Sequence, residues 1–189
     1  MALTALALCS RALLTLGASP IASFEEGTAE AEVAANLYPS ARDALLSAHS
    51  WSFATAQARL PRLEAPPLAD FAHAFQLPAD FLRALSAGTG PRGRGVAYRI
   101  AERRLHASSE AVLLTYVFRP AEAEFPPFFD AALIARLAAA FCIAITESTA
   151  RAELLHRLAD AAFRRARLID AQQETAAAIE DFPLLEARR

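Results

Sequence analysis

Apolar residues recur along this chain with two periods: about 3.6 residues at either end and two in the middle. Near the start, Leu6, Leu13 and Leu14 return at helical spacing while Thr4, Ser10 and Arg11 fall on other faces. That predicts an amphipathic first helix ending at Gly17. After Gly27 the helical pattern resumes, with Thr28 as N-cap and Glu30 and Glu32 suited to the positive end of the helix dipole. Val33, Ala34 and Leu37 carry its apolar face. Pro39 then predicts a kink or a new first turn, beyond which residues 41–49 continue with Leu45 and Leu46 inward.

The period changes at Trp51. Phe53, Thr55, Gln57 and Arg59 alternate with alanines, and Pro61, Pro66 and Pro67 interrupt the chain. Residues 96–100 and 111–118 are predicted strands, the second with Val112, Leu114, Tyr116 and Phe118 on one face. Residues 105–110 read as the turn of the hairpin between them, with Ser108 and Ser109 at its tip. The glycine-rich stretch 88–95 reads as a flexible loop. Two long helices close the pattern. The first starts at Pro126 and Pro127 and carries a stripe of Ile134, Leu137, Phe141 and Ile145. The second is capped by Ser148 or Thr149, with Leu155, Leu158, Ala162 and Ile169 as its stripe, and Pro183 stops any helix beyond it. The expected fold is α+β in a single domain. Residues 1–51 and 121–180 form a mainly helical bundle from both chain ends, 52–120 a small β-rich insertion, and 181–189 a C-terminal tail.

Composition adds a surplus of apolar surface. The chain has 189 residues, 54% of them hydrophobic, and a mean hydropathy of +0.23. Much of this is alanine, which favours helix and brings little area to bury, so the surplus points to close helix contacts or to surfaces buried against other subunits. All 19 basic residues are arginine, and the net charge is −2. A chain that grips nucleic acid would carry a basic excess, because phosphate neutralisation supplies most of that affinity. Cys9 and Cys142 lie far apart in helical segments and read as small buried hydrophobes in a reducing compartment. The apolar run 2–8 has no positive charge before it and is soon interrupted by Arg11, so neither an export signal nor a membrane span is expected.

Candidate chemistry is sparse. His49, His73, His106 and His156 occupy four separate segments without metal-ligand spacing. Glu153 and His156 form a Glu-x-x-His pair, but a di-iron bundle needs two such motifs and further glutamates, and only Glu147 is at hand. The 88–95 loop lacks the Gly-Lys-Ser ending of a phosphate-binding loop. No nucleophile elbow is present. These readings predict no catalysis, no metal and no cofactor. Arg164, Arg165 and Arg167 cluster on the last helix as a solvated face or a site for an acidic protein partner.

Two stretches are more specific. One is Leu37-Tyr38-Pro39-Ser40-Ala41-Arg42-Asp43-Ala44-Leu45-Leu46, followed by His49-Ser50-Trp51-Ser52-Phe53-Ala54. The other is Phe75-Gln76-Leu77-Pro78-Ala79-Asp80-Phe81-Leu82-Arg83. Together with residues 12–23 and the late Ala166-Arg167 pair, the chain resembles the head-to-tail adaptor family of tailed phages, the tail tubular protein A-like proteins. The resemblance implies a homo-oligomeric ring, usually twelvefold, stacked between the portal of a phage-like capsid and a downstream tail protein. DNA passes transiently through its bore. It implies a place in the neck of a virion or of a phage-derived gene transfer particle, assembled in the bacterial cytoplasm and away from membranes. A modest net charge suits DNA transit.

Under that resemblance, Arg42 and Asp43 point apart on their helix and seek partners elsewhere, across a subunit boundary together with Arg164, Arg165 and Arg167. Trp51 anchors bundle to insertion. Arg92 and Arg94 face DNA in the bore. Phe182, Leu184 and Leu185 are interface anchors on the portal, with Arg188 and Arg189 pairing acidic residues at its rim. The competing expectation is a soluble bacterial α+β module that binds a small ligand or a protein.

Overall fold

Thr4 opens the first helix, α1 (Ala5–Thr15), by accepting the Ala7 N–H on its hydroxyl. Gly17 closes it in the left-handed region at φ 74°, with the Ala18 N–H returning to the Leu13 carbonyl. The computed structural model describes residues 3–90 and 93–173. The core-facing side of α1 is Leu8, Cys9, Ala12 and Leu13, whereas Leu14, expected on the apolar face, is 57% exposed. The leucine-only pattern missed the true stripe because half of it consists of small residues, Cys9 and Ala12.

Thr28 caps α2 (Ala29–Ser47) through the Ala31 N–H, with Glu30 and Glu32 in the first turn. Pro39 does not divide this helix. It lies on the exposed side, and Tyr38 before it and Leu45 and Leu46 after it enter one core, so packing holds the helix across one missing hydrogen bond.

All strands among the described residues lie between Thr55 and Phe118. β1 (Thr55–Arg59), β6 (Leu113–Phe118) and β3 (Phe81–Gly88) form one antiparallel sheet in the order β1-β6-β3. β2 (His73–Gln76), β5 (Arg104–Ala107) and β4 (Tyr98–Ala101) form a second, in the order β2-β5-β4. The tip of the β4–β5 hairpin is Glu102-Arg103, at φ 51° and 58°, not Ser108-Ser109. Those serines instead carry the chain from one sheet to the other. The tip is a two-residue left-handed turn whose twist matches the strands.

β6 separates two cores. Val117 turns towards the helices, while Leu114 and Tyr116, with Val112 just before the strand, pack on Phe75, Leu105 and Ala107 of the second sheet. Phe118 sits at the edge of that second core, so the expected shared face holds.

α3 (Pro127–Thr146) starts at the expected prolines, and α4 (Thr149–Asp170) is capped by Ser148 through the Arg151 N–H. The buried side of α3 is wider than the expected stripe and includes Phe129, Leu133, Leu137, Ala138, Phe141 and Cys142. Length and composition alone would let α3 cross a membrane, but here it is the helix on which α1, α2 and α4 all pack. The architecture is thus α+β, with four helices and two small three-stranded antiparallel sheets among the described residues.

Candidate functional site

α4 has two apolar faces. Ala152, Ala159 and Ala166, seven residues apart, are buried against α3. Alanine at these three positions favours a close approach of the two helices, and Leu155 and Phe163 pack beside them. Leu158, expected inward, is 53% exposed, as are Leu154 at 49% and Leu168 at 68%. Leu155, Ala162 and Ile169 of the expected stripe are half-buried at the margin. The outward leucines share a line with Ala161 and Arg165 at spacings of four and three residues. Arg164, Arg165 and Arg167 are all exposed, and Arg167 lies over the Phe163 ring at 5.7 Å. An apolar groove lined by Phe128, Ala131, Ala162, Arg165 and Ile169 runs between α3 and α4 on this side.

Arg42 and Asp43 do not point apart. The flexible arginine stem folds back, so that Arg42 Nε donates to Asp43 Oδ1 at 2.9 Å and Arg42 Nη1 to Glu122 Oε1 at 2.9 Å. Tyr38 Oη donates to the same glutamate oxygen at 2.9 Å. Arg119 grips Asp43 with two bonds, from Nε at 3.0 Å and Nη2 at 2.5 Å. The pair therefore belongs to a clasp that ties α2 to the end of β6 and to the short 3-10 turn Glu122–Glu124. Burial works to raise both carboxyls, but the bonds from Arg119 and Arg42 hold Asp43 below its ordinary range. Glu122 is likewise held down, by its own backbone N–H, Tyr38 and Arg42. The Tyr38 phenol is pushed up by burial and by Glu122.

A second junction forms around Trp51. Asp170, at the end of α4 and 3% exposed, accepts from the Ser52 N–H at 3.1 Å and from Ser52 Oγ at 2.7 Å. His49 Nε2 stands 3.7 Å from the same carboxylate, and burial, reinforced by Arg167, lowers its pKa. Asp170 was not singled out in the sequence. An acid closing a helix of helical period looks like any other polar residue, and its partner lies 118 residues away.

Arg94 is exposed beside Gly93, whereas Arg92, Phe182, Leu184, Leu185, Arg188 and Arg189 lie outside the described residues. Glu153 and His156 are exposed on α4, and among the described residues no three histidine, cysteine or acidic side chains converge as a metal set. Both cysteines are buried, and burial pushes the Cys9 thiol up to about 12. Such a thiol is protonated at neutral pH and is no nucleophile. Asp130 Oδ1 is buried without a partner, and burial raises that carboxyl despite the pull of Arg11. No family model matches the chain, and no curated protein matches it significantly.

Proposed function

We propose that this chain is a structural head-to-tail adaptor subunit. In this reading copies form a ring between the portal of a phage-like capsid and the tail, with DNA passing through the bore, and residues 1–51 and 121–180 act as one helical bundle. The observation that carries it is the outward face of α4, where exposed leucines and arginines line a 22-residue helix already packed on its other side. Contiguous exposed apolar surface rimmed by charge on a folded chain marks a contact surface, with another protein among its uses. The tail-tubular resemblance supplies the kind of assembly. The clasp of Arg42, Asp43, Arg119 and Glu122 holds the α2 segment that carries the most specific part of the resemblance.

The α3–α4 groove favours a second reading, a soluble α+β module that takes a small apolar ligand or a peptide. Particle images and light scattering of the purified chain, alone and with its portal, separate the two. A ring or a portal complex of ring stoichiometry supports the adaptor. A chain that stays monomeric and does not engage the portal sinks it.

A further inference from the structure

The 4-3-4-3 spacing of Leu154, Leu158, Ala161, Arg165 and Leu168 draws one continuous line along α4, on the side that α3 leaves free. Its three leucines are each about half exposed or more. Matched residue for residue, two copies of this line bring like charges together. An antiparallel match centred on Ala161 sets Arg165 beside Arg157, and a parallel match sets Arg165 against Arg165. α4 carries five arginines, of which Arg151 donates to the Thr15 carbonyl of the same chain, against Glu153, Asp160 and the internally bonded Asp170. An acidic face is the one that complements it in charge.

An acidic stretch lies elsewhere on the chain. No basic residue lies between Arg11 and Arg42, a stretch that contains Glu25, Glu26, Glu30 and Glu32. Glu26 is occupied in capping the Ala22 N–H and the Thr28 hydroxyl, but Glu25 and Glu32 are exposed, close in sequence to the half-buried Phe24. We infer that the leucine line of α4 docks a second copy of this chain, which presents the Glu25–Glu32 surface at the start of α2 rather than its own α4. The contact is head-to-tail. Repeated by a closing rotation it generates a ring, and an isologous pairing would stop at a dimer. The inference rests on the adaptor reading for ring closure and deepens it by naming the two faces.

Sedimentation of the full chain over a range of concentrations provides the test. The wild type is expected to self-associate. Leu158→Glu should stay monomeric with an unchanged melting temperature, since Leu158 faces outward. R157E/R165E copies and E25R/E32R copies should each be monomeric alone and should assemble when mixed, because mixing restores opposite charge at both kinds of contact. A mixture that fails to assemble, R157E/R165E copies that associate like wild type, or a wild type that never associates would each overturn the inference. If Leu158→Glu lowers the melting temperature, the charge-swap mixture still decides. Rings that form on a portal regardless of these substitutions would sink this contact and leave the adaptor intact. Complementation without ring or portal binding would sink the adaptor and leave the contact.

Discussion

Trp51 has no solvent exposure, and its indole N–H donates to the Leu45 carbonyl at 3.1 Å. Its ring meets Phe129 and Phe163 edge-on at centroid distances of 5.2 and 5.8 Å, so α2, α3 and α4 all close on this one side chain. Trp51→Ala should destabilise the chain by about 3–5 kcal/mol in denaturant titration, through lost contacts and the cavity left behind. The Asp43 clasp makes a different prediction. Asp43 and Glu122 titrate lower in the folded chain than in the unfolded one. Their stabilisation is therefore complete above the ordinary carboxylate range of about 4 and is lost as pH falls through the depressed folded values. Asp130, raised by burial, acts in the opposite sense. Asp43→Asn should lower the melting temperature at pH 7 and flatten its decline between about pH 5 and pH 2. An equally steep decline in the variant would show that the clasp does not set the acid response.

At the scale of elements, the alanine heptad of α4 determines how close α4 comes to α3. Ala152→Leu would force extra methyl groups into the packed core where α4 meets its neighbours. The expected cost is about 1–3 kcal/mol, measurable as a shifted unfolding midpoint with an unchanged slope. The caps at Thr28 and Ser148 and the proline start of α3 were legible in the sequence, because each rests on local chemistry within a few residues. The facing of α4 was not. Two apolar lines of similar period run along it, and the one that went inward is made of small residues, which a search for large hydrophobes passes over. The β4–β5 turn escaped for a related reason: Glu102-Arg103 holds a left-handed turn with neither glycine nor asparagine to announce it. Of the candidate site, the arginine cluster was readable as charge, but its relation to the exposed leucines needed the packing of α3 to be known.

For the molecule as a whole, a net charge of −2 conceals a separation. α4 carries five of the 19 arginines, and the only charged residues between Arg11 and Arg42 are acidic. Such an arrangement gives the proposed contact between copies two surfaces of opposite charge. The proposed portal contact is assigned to a different element, the segment in which Phe182, Leu184 and Leu185 stand among Glu180, Asp181 and Glu186 and precede Arg188 and Arg189. Its apolar trio is too small to form a core of its own, yet it is large enough to supply the buried anchors of an interface. The residues that hold the fold together, Trp51, Asp170 and the alanine heptad, all precede it. Deleting residues 182–189 should therefore leave a chain that melts within a degree or two of wild type, since Trp51, Asp170 and the buried alanines of α4 are all retained. That chain should still self-associate through α4 but fail to join DNA-filled heads to tails. Joined particles at wild-type yield from the truncated chain would show that the portal is held by some other surface. A truncated chain that no longer self-associates would place the segment at the contact between copies instead.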